Sequence, residues 1–161
     1  SEIDKKLFEA GILTHLNTGL TIAVHTGGNI EAVRFQKDLL DKYDVHPSAW
    51  VWTHANKIQD DDILIDLASK GAWISLDGVK ASNTDQYLNR LKLFKKKTLL
   101  NKVLISHDGN GYPGGGQIRR FDAIFDSLIP AMRNVGFAEA DIDQLLILNP
   151  REAFRIRIRK K

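Results

Sequence analysis

Four apolar runs in this 161-residue chain each lead into a histidine or an aspartate, and their spacing constrains the fold more than any other feature. They are Thr21-Ile22-Ala23-Val24-His25, Trp50-Val51-Trp52-Thr53-His54, Ala72-Trp73-Ile74-Ser75-Leu76-Asp77 and Lys102-Val103-Leu104-Ile105-Ser106-His107-Asp108. Each is followed by a loop and then a helical pattern. The polar residues fall 29, 23 and 31 positions apart, intervals that suit successive βα units with right-handed crossovers. Each polar residue is then expected at the C-terminal end of a parallel strand, where α/β folds place their chemistry.

The remaining patterns fill in the units. Near-helical spacing of Ile3, Leu7, Ala10, Ile12, Leu13 and Leu16 predicts a helix over 3–16, stopped at Thr18-Gly19. Strands are expected at 20–25, 49–54, 72–76 and 102–106, the first buried on both faces because its apolar residues do not alternate with polar ones. Helices are expected at 30–43, at 61–69 behind the Asp60-Asp61-Asp62 cap, at 85–99 behind Ser82-Asn83-Thr84-Asp85, and at 117–135 with Gly136 as its stop. Two shorter helices are expected at 138–146 and 150–156, with Pro150 near the start of the second.

Four consecutive βα units are half of an eight-fold barrel. An open four-stranded sheet is the alternative, but it offers no switch in winding direction and leaves two exposed edges. The chain is therefore expected to be one partial (half) barrel domain over 1–161, with an upstream half outside it. Its composition, 43% hydrophobic and 27% charged, is that of an ordinary globular protein. The net charge of +3 comes largely from Lys95-Lys96-Lys97 and a basic tail of Arg155, Arg157, Arg159, Lys160 and Lys161. These are expected to be a solvated helix face and a frayed terminus, without a nucleic-acid role, since no aromatic residues interleave them. No run of about 18 apolar residues is present, so no membrane span is expected. Zero cysteines exclude disulfides and thiolate ligands and are compatible with a cytoplasmic setting.

His25 and His54 form the sharpest pair. Two imidazoles on strand ends one βα unit apart can face one point, and Asp108 can add a carboxylate. Such donors fit Zn²⁺, Mn²⁺, Co²⁺ or Fe²⁺. Asp77 can ligate, orient a ligand or accept a proton. His107 points away from Asp108 in an extended strand, and is read as structural or supporting. His15 and His46 are read as structural. The segment Gly109-Asn110-Gly111-Tyr112-Pro113-Gly114 matches G-x-G-x-x-G literally. Its proline, its delayed helix and the lack of a following acidic strand end argue against dinucleotide binding. It is expected to be a flexible loop over a site mouth, with Tyr112 as a substrate contact.

Taken together, Ile22-Ala23-Val24-His25-Thr26, Trp52-Thr53-His54, Ile74-Ser75-Leu76-Asp77-Gly78, Ile105-Ser106-His107-Asp108 and Asn149-Pro150-Arg151-Glu152-Ala153-Phe154 resemble the phosphotriesterase family of the amidohydrolase superfamily. The resemblance implies the C-terminal half of a TIM (β/α)₈ barrel, strands five to eight. It implies that His25 and His54 bind one metal of a binuclear centre, with zinc foremost, and that Asp108 binds the other and acts catalytically as a proton shuttle. It places Asp77 near the substrate pocket. The family also uses a His-x-His pair and a lysine or glutamate from earlier strands, and no His-x-His occurs here.

The resulting expectation is part of a metal-dependent hydrolase acting on a small-molecule ester (phosphotriester, lactone or carboxyl ester) through a metal-activated hydroxide. The fragment alone is expected to turn over little or nothing. The alternative is a non-catalytic half-barrel that associates with a partner or with itself.

Overall fold

A computed structural model of the chain describes residues 1–109 and 120–161. The expected loop residues after Gly109, Tyr112 among them, lie outside the described residues. Four strands, β1 (Ile22–His25), β2 (Trp50–Thr53), β3 (Trp73–Asp77) and β4 (Val103–Ser106), form one parallel sheet in the order β1-β2-β3-β4. Sequential order with no switch is the arrangement of consecutive barrel units, as the spacing predicts. The connecting helices are α1 (Glu2–Thr18), α2 (Ile30–Lys42), α3 (Asp61–Ser69) and α4 (Thr84–Lys96).

Local chemistry accounts for the helix ends. Ser1 and Asp4 make a reciprocal capping box at the start of α1. Asn29 and Asp60 accept from the Ala32 and Asp62 amides at the starts of α2 and α3. Gly19 ends α1 at φ 75°, and its Cα faces the backbone of Arg157 so closely that a Cβ would stand 2.6 Å from the Arg157 carbonyl carbon. Asn83 departs from the expected cap. Its side chain ties the Lys80 amide and the Gly78 carbonyl, shaping the loop before α4.

Strand parity divides the core into two faces. Trp50, Trp52, Ile74, Leu76 and Val103 pack with the helices in the main cluster. Val51, Trp73 and Leu104 point to the opposite face and form a small cluster with Ala153. The expectation of burial on both faces fails for β1, whereas all five residues of β3 are buried. Ala23 and His25 are exposed, because β1 is a sheet edge whose inner face has no cover among the described residues.

The C-terminal third corrects three expectations. The predicted helix over 117–135 is non-helical at 120–122; a π turn, Ile124–Leu128, leads into α5 (Ile129–Asn134). His107 explains the late start: its Nε2 accepts from the Ile124 amide at 3.0 Å, caps the helix from β4, and packs between Phe121 and Phe125. The two predicted short helices instead run together as α6 (Glu139–Asp143), a π turn over Gln144–Leu148, and α7 (Asn149–Ala153). Pro150 is accommodated directly after that π turn.

The basic tail is not frayed. Arg157 donates to the Gly19 carbonyl, Lys160 bridges to Val45, and Arg159 is 5% exposed. The Arg159 guanidinium reaches Thr21 and the carbonyls of Glu152, Ala153 and Arg155. The lysine run is split: Lys96 and Lys97 are exposed, whereas Lys95 pairs with Asp141 at 2.5 Å and lies over the Phe137 ring. No helix among the described residues is long and apolar enough to cross a membrane.

Candidate functional site

The C-terminal edge of the sheet gathers His25, His54 and Asp77. His25 ends β1 on the inner face. His54 lies one residue beyond β2, and an extended chain would send its side chain toward the helices, opposite to Thr53. Instead His54 adopts φ 59°, ψ 33°. That left-handed turn sets its ring beside the ring of His25, with centroids 4.4 Å apart and planes at 75°. Asp108 has φ 50° at the end of β4. Non-glycine residues in this region are uncommon and cluster where surrounding structure holds them in place.

Asp77 is the hub. It is 6% exposed, and its Oδ2 accepts the His54 backbone N–H at 2.7 Å. The same oxygen lies 3.4 Å from His54 Nδ1. Its Oδ1 accepts the Ser75 and Ser106 hydroxyls at 2.8 and 2.7 Å. Ser106 Oγ in turn accepts the Asp108 backbone N–H at 3.2 Å, which links Asp108 to the same network. Tyr87 closes the rear by donating its hydroxyl to the Asp77 carbonyl. Burial, followed by the negative charge of Asp77, pushes the Tyr87 phenol up to about 12; Arg90 opposes the shift and Asp108 adds to it. Tyr87 therefore remains a neutral donor throughout the physiological range.

A carboxylate behind a histidine favours a proton on the facing nitrogen and leaves the other as an electron-pair donor, the usual arrangement around a ligating imidazole. The His25–His54 pair and the carboxylate behind His54 thus fit one side of a divalent-cation site. Among the described residues, no group of three or more histidine, aspartate or glutamate side chains is gathered closely enough to hold an ion. Two imidazoles fall short of the four donors that zinc prefers, so further donors or waters are required.

Sequence reasoning missed Ser75, Ser106, Asn56 and Arg90. The two serines carried a readable signal, since Ser75 shares strand parity with Asp77 and Ser106 pairs with Asp77 in register. Arg90 carried another: it interrupts the buried positions Tyr87, Leu88, Leu91 and Phe94 of α4.

This geometry stands beside a direct sequence match: the family model of the phosphotriesterases covers residues 1–154. The chain belongs to the phosphotriesterase family. It is 26% identical over 164 residues to the phosphotriesterase homology protein of Escherichia coli K12, covering 95% of this chain and 54% of that protein. It is 21% identical over 172 residues to the N-acetyltaurine hydrolase of Xenopus tropicalis, covering 94% and 48%. The phosphotriesterase structure from Mycobacterium tuberculosis superposes with a TM-score of 0.83 at 22% identity, over 96% of this chain and 51% of that one. The E. coli homology protein, solved with phosphate in its active site, superposes with a TM-score of 0.77 at 25% identity, over 96% and 55%. The chain spans about half the length of the curated relatives it matches. Its fold is accordingly four parallel βα units that match about half of each TIM-barrel neighbour.

Proposed function

We propose that this chain supplies one side of the active site of a metal-dependent hydrolase, acting on an ester-type bond in a phosphotriester, lactone or carboxyl ester. The observation that carries the reading is the His25–His54 ring pair, turned together at the C-terminal sheet edge by the left-handed backbone of His54. Membership in the phosphotriesterase family supports it. Relatives named as N-acetyltaurine hydrolases support hydrolysis as the reaction class rather than one particular ester.

His25 and His54 are the residues that would hold a divalent ion, zinc foremost, with Asp108 contributing to a second. Bound there, the ion would supply Lewis acidity and lower the pKa of a water. Asp77 holds the His54 backbone and faces its Nδ1. Asp108, whose backbone N–H is held by Ser106, would take up a proton on a carboxylate oxygen as water attacks the substrate. Asp77 also marks the wall of the expected substrate pocket, with its own carboxylate engaged by Ser75, Ser106 and His54.

The test is a Zn²⁺ or Co²⁺ titration of the chain and of His25→Ala and His54→Ala, followed by hydrolysis assays on lactone, carboxyl-ester and phosphotriester substrates. Weak binding that both substitutions abolish, with little turnover, is the expected result. Binding that survives both substitutions sinks the metal assignment. Turnover at the rates of full-length relatives refutes the expected inactivity of the half-barrel.

A second reading is an association module. It is favoured by the unpaired edge of β1, where a groove of about 660 Å³ is lined by Leu7, Phe8, Leu20, Ala23 and His25. A complementary half-barrel or a second copy would cover it. A stable monomer by size exclusion and scattering, with no affinity for a complementary half-barrel, eliminates this reading.

A further inference from the structure

Arg90 is a buried charge that the proposed chemistry leaves unused. It projects from α4 with 7% exposure. Its Nε donates to Asp61 Oδ1 at 3.0 Å, its Nη1 to the Asn56 carbonyl at 2.7 Å, and its Nη2 to the Ile58 carbonyl. The two carbonyls lie on the segment that joins β2 to α3, just after His54, and Asp61 is the first residue of α3. A buried guanidinium is tolerated only when its donors are met, so this fork fixes the segment in one position.

The segment also reaches back to the site. Asn56 accepts the Asp77 backbone N–H on its side-chain Oδ1 at 3.0 Å. Asp77 in turn receives the His54 N–H and faces its Nδ1. Arg90, the Asn56 carbonyl, the Asn56 amide, Asp77 and His54 therefore form one continuous set of contacts from α4 across the β2–α3 loop to β3.

We propose that Arg90 and Asn56 are positioning residues that set the orientation and the donor nitrogen of the His54 ring. Arg90 acts by holding Asn56 in place, and Asn56 by fixing the strand end that carries the Asp77 carboxylate. A lysine at position 90 would keep the charge but could not span two carbonyls and a carboxylate. The proposal rests on the reading of His54 as a ligand-bearing residue.

The test uses the whole chain with ¹⁵N-labelled histidine rings, comparing wild type, Arg90→Met, Arg90→Lys and Asn56→Ala, with Zn²⁺ affinity measured by chelator competition. In the wild type the His54 ring should show one tautomer, protonated on Nδ1. Arg90→Met and Asn56→Ala should mix the tautomers and weaken Zn²⁺ binding about tenfold. Arg90→Lys should recover part of both effects, and the His15 ring, bonded on both nitrogens, should not change. If Arg90→Met does not fold, Asn56→Ala and Arg90→Lys decide the matter. An unchanged His54 spectrum in the folded variants, with only a lower Tm, overturns the proposal. A wild type that binds no Zn²⁺ defeats the ligand reading, while the ring spectra still decide the positioning.

Discussion

Two histidines at one end of the parallel sheet and two at the other are used in opposite ways. At the N-terminal ends of the strands, His15 is fully buried; its Nδ1 donates to the Leu20 carbonyl at 2.8 Å and its Nε2 accepts from the Arg159 amide at 2.9 Å. His46 caps the turn Pro47–Ala49 by accepting the Ser48 amide on Nδ1. At the C-terminal ends, His25 is exposed on an edge strand, and His54 is held through its backbone amide, with its ring turned toward His25. A histidine whose ring nitrogens are taken up by backbone groups is part of the scaffold. A histidine held by its backbone, with its ring set beside a second imidazole, is available for chemistry.

That contrast can be broken most severely at the scaffold end. Gly19→Ala places a Cβ against the Arg157 backbone at a positive φ, and should cost ~3 kcal/mol or more by releasing the C-terminal tail. His15→Ala empties a buried site and orphans the Arg159 amide, so a loss of about 2–4 kcal/mol is expected in urea unfolding. Equal stability of His15→Ala and wild type would refute the scaffold role.

At the site end the effects should fall on ligands rather than on folding. His54→Ala should weaken Zn²⁺ at least about tenfold, whereas His46→Ala should leave the affinity unchanged. His25→Ala should shift stability by no more than about 0.5 kcal/mol, as expected for an exposed side chain. A large loss of stability there would erase the distinction between the two ends.

The smallest expected effect is a pH dependence at His46. Burial, reinforced by Lys102, Lys161 and Arg159, holds its imidazole below the ordinary value of 6.5. The unfolded chain therefore takes up the proton first, so the stability contribution is present above pH 6.5 and is lost as the pH falls through the folded-state value. The urea midpoint should decline modestly between pH 7 and pH 5, and His46→Asn should flatten that decline.

Much of this was legible in the residues. The four apolar runs became β1 to β4 in the expected order, because unbroken apolar runs separated by helical patterns leave few alternatives to successive βα units. The His25, His54 and Asp77 grouping followed from that placement. The tail misled, because a run of alternating basic residues looks solvated unless it is known that Arg159 finds four hydrogen-bond acceptors beneath α7. The late start of the helix after β4 was equally hidden, since His107 caps it from 17 positions away. Asn149 shows the same limit from the other side. It was visible as part of a family motif, but its reason is tertiary: its amide donates to the Leu100 and Val103 carbonyls and ties α7 to the base of β4.

The sequence by itself determined the strand-end residues and their common edge, because hydrophobic periodicity and chain reach leave little choice of topology. The tertiary structure decided which way those residues face. Strict strand alternation would have turned His54 away from His25. The buried Asp77 carboxylate, 23 residues further along the chain, holds His54 in the left-handed turn that brings the two rings together, and Asp77 is itself tied to Asn56 in the loop after β2.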